Sequence, residues 1–299
     1  MKRIVMLFAI WLGLSAPAMA KLDVFACEPE WAALLHELGG VQLQVFTATT
    51  ALQDPHRIQA RPSLIAQVRN AELLVCTGAD LEAGWLPMLL QRAANPKVLP
   101  GKPGYFEAAA HVELRDRPAT LDRAQGDLHA AGNPHINTDP RLILKVAQAL
   151  SARLQELDAA HRNEYQQRLS DFSTRWQAAM DRWQQQVAPL RGVAVVTQHQ
   201  GWVYLLDWLG MHEVAVLEPK PGIEPSGAHL AQLLVGLKQR PARMILHAAY
   251  QNDRSAQWLS QRAKIPVVAL PYTVGANEQS GDLFDLFDDT VNRLLEAAR

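Results

Sequence analysis

Cysteine is scarce in this chain: 299 residues contain only Cys27 and Cys76. Neither belongs to a C-x-x-C pair, which argues against a structural zinc site built from closely spaced thiolates. Runs of one charge are also missing. Lys and Arg number 29 against 30 Asp and Glu, for a formal net charge of −1. That balance offers no basic face for nucleic acid, and no nucleic-acid partner is expected. Beyond residue 20 no apolar run approaches the roughly 20 residues that span a bilayer, so no stable membrane insertion is expected. There is no H-E-x-x-H, no nucleophile elbow and no paired carboxylate motif. Nothing in the sequence therefore announces an enzyme.

The first twenty residues, "MKRIVMLFAIWLGLSAPAMA", are of another kind. Lys2 and Arg3 precede an apolar run, and Ala18-Met19-Ala20 ends it. This is the layout of a secretory signal with cleavage expected after Ala20, giving a periplasmic protein. No cysteine follows the expected cut, so no lipid attachment is expected there. Residues 21–299 then suit two lobes at ~100–200 residues per domain. In an exported chain Cys27 and Cys76 are open to three readings: a disulfide, two buried thiols, or metal ligation.

Periodicity gives the fold class. Strand-like runs at 22–27, 41–48 and 72–78 alternate with helical patterns at 28–40, 61–71 and 81–93. Such alternation predicts a parallel sheet covered by helices. If the sheet order reverses after its second strand, Cys27 and Cys76 end neighbouring strands. Residues 101–139 show little period. Residues 139–158 read as a helix, with Asp139 as cap and Pro140 in first position. From 159 to 187 an apolar stripe runs through Tyr165, Leu169, Phe172, Trp176, Met180, Trp183 and Val187. It predicts a helix about 40 Å long. Such a helix is either half of a hairpin or a rigid strut between lobes. Strands at 192–199, 212–219, 242–249 and 265–272 then alternate with helices at 201–210, 226–241, 253–264 and 282–298. The expected fold is α/β, two α/β lobes with parallel sheets joined by one long rigid helix. Its expected divisions are a signal over 1–20, a lobe over 21–158, the helix over 159–189 and a lobe over 190–299. In open α/β sheets ligands bind beyond the carboxyl ends of the strands, here in the cleft between lobes.

Ten histidines are spread along the chain. His56 sits in the loop after the second strand, His135 in the loop before a helix, and His199 at the end of the strand that opens the second lobe. Neutral imidazole suits Zn²⁺, Cu²⁺, Ni²⁺ or Fe²⁺ and does not suit Ca²⁺ or Mg²⁺. The plainer reading of each is a solvated loop residue, and His36, His161 and His212 fit it. His229 and His247 read as structural, His111 lies in an uninformative loop, and spacing alone singles out none.

Motif order does. "DPHRIQARPS", "NPHINTDP", "VVTQHQGWVYLLDWLG" and "LEPKPGIEPSGAHL" resemble, in sequence order, the motifs of periplasmic solute-binding proteins of zinc and manganese ABC transporters. The resemblance covers nearly all of residues 21–299. It implies His56, His135 and His199 as metal ligands, and a protein that captures Zn²⁺ and delivers it to a membrane permease of an ABC transporter. It implies a monomer whose cleft residues are ligands and not catalysts. In that family an acid in the loop after a late strand, or just before the first histidine, completes the site. Here Tyr272 of "LPYTVG" and Pro55 stand at those places. The fourth position then falls to water, to His129, to Tyr272 as a phenolate with its pKa lowered from ~10, or to Glu28, Glu224, Glu278 or Asp282. Imidazole donors favour zinc, and Mn²⁺ less, because manganese prefers harder oxygen ligands. The family's His-rich acidic loop is absent, and only His111 and His129 lie in that region. Two rival functions are a zinc hydrolase with an open three-histidine site and a strut-type receptor for a chelated metal or siderophore, gripped by Trp85 and Trp202.

Overall fold

Each half of the chain builds the same sheet. In the first, β1 (Leu22–Ala26), β2 (Leu43–Thr47), β3 (Leu73–Cys76) and β4 (Tyr105–Glu107) lie parallel in the order β2-β1-β3-β4. In the second, β5 (Ala194–Thr197), β6 (His212–Val216), β7 (Met244–Ala248) and β8 (Val267–Leu270) repeat that plan as β6-β5-β7-β8. The computed structural model describes residues 21–118, 126 and 129–299, so the signal expected over residues 1–20 lies outside them. The central strand β3 is an unbroken apolar run because helices cover both faces, and all four of its residues are buried.

The helices are α1 (Pro29–Gly39), α2 (Pro62–Asn70), α3 (Leu86–Ala93), α4 (Pro140–Leu157), α5 (Arg162–Gln186), α6 (Val203–Leu209), α7 (Gly227–Leu237), α8 (Arg254–Ala263) and α9 (Leu283–Ala298). The outer face of the first sheet packs on α2 and α3, and that of the second on α7 and α8. The inner faces share one continuous apolar core, which runs from Val24 through Tyr165, Phe172, Trp176 and Trp183 to Val195, Met244 and Phe287. The long helix α5 is the middle of it. It is both things the sequence offered: half of a hairpin with α4, and a strut that also touches α1 and α9. The stripe faces inward as expected, except that Leu169 is only half-buried.

Three expectations needed adjustment. Strand β4 was hidden in the aperiodic stretch, since three residues are too few to show a period. The helix expected over 81–93 begins at Leu86, because residues 81–85 run as turns and Trp85, at φ −143°, is outside the helical range. A 3-10 turn over Gly40–Gln42 delays β2 to Leu43. The other elements appear in the expected order, with ends up to four residues shorter, as for the helix expected over 226–241, which ends at Leu237. Asp139 caps α4 by accepting from the Arg141 N–H at 2.8 Å, with Pro140 next to it. Strands β1 and β3 are neighbours, and Cys27 and Cys76 at their carboxyl ends form a disulfide, both fully buried. Metal ligation by these two sulfurs is thereby replaced by a cross-strand bond.

Candidate metal centre

Four imidazoles meet between the lobes. His56 comes from the loop after β2, His129 and His135 from the segment before α4, and His199 from the carboxyl end of β5. Ring centroids are 5.4 Å apart for His56 and His135, 5.3 Å for His135 and His199, and 5.7 Å for His56 and His199. The His129 ring lies 5.3 Å from His56 and 6.0 Å from His135. One ring nitrogen from each of His56, His129 and His135 falls within 4.8 Å of the others. His135 and His199 are buried; His56 and His129 are half-buried.

Three of these rings are oriented the same way. His56 Nδ1 lies 2.8 Å from Asp54 Oδ1, His135 Nδ1 lies 2.7 Å from Asn133 Oδ1, and His199 Nδ1 lies 2.8 Å from Glu218 Oε2. Carboxylate and carbonyl oxygens only accept, so each Nδ1 donates and each Nε2 is left with its lone pair. The Nε2 atoms of His56 and His135 are buried and have no hydrogen-bond partner. A buried acceptor without a donor is costly, and it is what a ligand atom looks like before its metal is present.

The electrostatics favour a neutral ring at His135. Burial, and then the neighbouring His199, His56 and His129, hold His135 well below the usual imidazole range. Burial alone would raise the Asp54 carboxyl, but the hydrogen bonds from His56, with Arg57 nearby, outweigh it and lower it.

The other candidates for the fourth position separate clearly. The Tyr272 ring lies edge-on to His135 at 5.9 Å, and its buried hydroxyl has no partner. Burial, then Tyr250 and nearby acids, push that hydroxyl well above its ordinary value, so Tyr272 presents a neutral phenol. Asp282 caps α9 through the Asp285 N–H, and Glu278 is exposed. Glu28 is buried elsewhere in the first lobe with Thr77. Glu224 lines a cavity of about 220 Å³ together with Asp54, His56, His199, Glu218 and Tyr250. A smaller cavity of about 50 Å³ reaches His129, His135 and His199 from the other side, past Asp116 and Pro221. Trp85 and Trp202, the proposed grips for a chelated ligand, are core residues, 1% and 2% exposed. Trp85 instead donates to the Pro55 carbonyl at 2.8 Å and so braces the His56 loop.

Sequence reading passed over Asp54, Asn133 and Glu218. For two of them a signal was there. Asp54-Pro55-His56 and Asn133-Pro134-His135 are the same motif twice. In each the Asx oxygen accepts both the backbone N–H of the histidine two residues on, at 3.0 and 3.1 Å, and its ring.

A cluster of acids lies apart from the histidines. Glu28, Glu30 and Glu82 are all buried. Glu82 accepts the Thr77 and Gly78 N–H groups, and Glu30 accepts the Thr273 hydroxyl of the second lobe at 2.5 Å. Burial raises Glu30 and Glu82 to about 7, and burial with the two neighbouring acids raises Glu28 well above 4.5. A carboxyl raised by folding stabilises most below its unfolded value near 4.5 and loses that contribution as pH rises through about 7. The Glu28→Gln variant should therefore lose less stability than the parent between pH 5 and 8, and melt several degrees higher at pH 8. Thermal scans of the metal-free protein across that range check this.

Two parallel-sheet lobes on a buried strut, with imidazoles converging in the cleft, define a class: the two-lobed binding proteins with a rigid connecting helix. The chain belongs to the family described as zinc-uptake complex component A, periplasmic, whose pattern matches residues 24–297. It is 20% identical over 251 residues to the high-affinity zinc uptake system protein ZnuA of Bacillus subtilis, covering 82% of this chain and 76% of that one. It is 21% identical over 299 residues to the manganese ABC transporter substrate-binding lipoprotein PsaA of Streptococcus mitis, covering 93% and 92%. A crystal structure of ZnuA superposes with a TM-score of 0.76 at 21% identity, covering 93% of this chain and all of the other.

Proposed function

We propose that this protein is a periplasmic receptor that takes up Zn²⁺ in its cleft and hands it to the membrane permease of an ABC transporter. His56, His135 and His199 hold the ion through Nε2, and His129 supplies the fourth nitrogen. The observation that carries this reading is the shared orientation of three clustered rings, each with Nδ1 bound to an acceptor so that Nε2 keeps its lone pair. Family membership and relatives named for zinc and manganese support it. Four imidazoles without a carboxylate favour zinc over Mn²⁺. The carboxylates that touch the rings, Asp54 and Glu218, are committed to those rings, so neither is free to act as the base of a hydrolase. Export after removal of residues 1–20, lobes over 21–158 and 190–299, and a monomeric state belong to the same reading. No helix among the described residues is long and apolar enough to cross a membrane.

Equilibrium titration with zinc and manganese, followed by a zinc-soaked crystal measured at the zinc edge, tests the proposal. The expected result is one zinc per chain, bound by the four histidines and tighter than manganese. An anomalous peak away from them, or no zinc bound, would overturn it.

A further inference from the structure

Four neutral imidazoles bring no charge to a doubly charged ion. In a buried cleft that charge must be balanced nearby. Resting on the receptor reading above, we infer that Asp54 and Glu218 are positioning residues that supply this balance from behind the rings, one from each lobe. Asp54 stands behind His56 in the first lobe and Glu218 behind His199 in the second, each at 2.8 Å. The third ring has no such charge. Asn133 holds His135 with a neutral amide, whose nitrogen donates to the Gln200 carbonyl at 2.8 Å, a bond no carboxylate could make.

The two ring-bound anions match one divalent cation; Glu224, which lines the same cavity, is exposed and touches no ring. Among the described residues Arg57 is a cation near this pair, with Nε 3.9 Å from Asp54 Oδ2, and its side chain is 60% exposed and water-screened. Glu218 is also fixed from outside the site, because its Oε2 accepts the Gly222 N–H at 2.8 Å. The charge is therefore held in place whether or not a metal is bound. The acid absent at Tyr272 and Pro55 is in this sense supplied one bond further out, where it tunes the rings without being a ligand.

Asparagine separates charge from geometry, since Asn133 already holds a ring at 2.7 Å with an amide oxygen. The full-length mature protein is prepared as Asp54→Asn, Glu218→Gln and the double variant. Each is titrated with Zn²⁺ and, as a monovalent imidazole-binding probe, with Ag⁺. Zinc affinity should fall about 10- to 100-fold in each single variant and further in the double, while silver affinity changes little. The variants lie on different lobes, so misfolding of one leaves the other informative. Zinc affinity within twofold of the parent in a folded variant, or equal losses for zinc and silver, would overturn the inference. A parent protein that binds no zinc, or a His135→Ala variant that binds it as the parent does, would overturn the receptor reading and this inference with it.

Discussion

Replacing His135 by alanine should lower zinc affinity by about two to three orders of magnitude. His135 is 2% exposed and has three imidazoles around it, at 5.4, 5.3 and 6.0 Å. Apparent zinc binding energies of ~10–16 kcal/mol for four ligands correspond to roughly 3–4 kcal/mol per ligand. The metal-free variant should fold normally. It loses the bond to Asn133, but it also loses a buried nitrogen with no partner, and the two effects offset within about 1 kcal/mol. His129→Ala should weaken binding less, because His129 is only half-buried. Competition with a chelator gives the affinities. Thermal melting with and without zinc gives a second readout, since the metal-induced rise should vanish in His135→Ala. If His129→Ala costs more than His135→Ala, the ranking of the four ligands is wrong.

Trp176→Ala should be the most damaging change away from the site. Trp176 is fully buried in the middle of α5, with ring neighbours Phe172, Trp183, Phe284 and Phe287 at 4.9–5.6 Å. Its Nε1 donates to the Pro140 carbonyl at 2.8 Å, at the first turn of α4. Truncating such a ring costs about 3–5 kcal/mol through the cavity alone, and the lost Nε1–H bond to Pro140 adds to it. The continuous core means that this loss reaches both lobes. Urea unfolding should show one transition at lower urea with an unchanged slope, and the melting temperature should fall by about 10 °C. Two separate transitions would mean that the lobes do not share a core through α5.

The fold could be read from the sequence where the apolar period is long. The α5 stripe repeats often enough to fix a long helix, though it leaves hairpin and strut both open, and the alternating strands and helices of both lobes are equally legible. The misses have local causes. Strand β4 is only three residues long, and α3 is delayed by turns over residues 81–85, which no hydrophobic pattern reports. The site was less legible. Nothing in spacing distinguishes His56, His135 and His199 from the other histidines, and it was the order of motifs that selected them. Glu218 stands in the fourth motif, "LEPKPGIEPSGAHL", but nothing in that motif marks it as the partner of His199. It lies 19 residues from His199 and meets it because β5 and β6 are parallel neighbours. Their register pairs Thr197 with Val216, so the residues two further on, His199 and Glu218, emerge side by side. Such pairing depends on strand order, which sequence alone does not print.

The twin Asx-Pro-His loops have a consequence for how fast and how tightly the ion is taken. Proline fixes its own φ near −65° and restricts the residue before it. Pro55 and Pro134 are buried, and the Asx side chain closes each turn onto the histidine that follows. Two of the rings therefore have little rotational freedom left to surrender when zinc arrives, so the ordering cost has been met during folding of the chain. Binding at those two loops should proceed without a slow rearrangement, as capture by a surface that is already shaped.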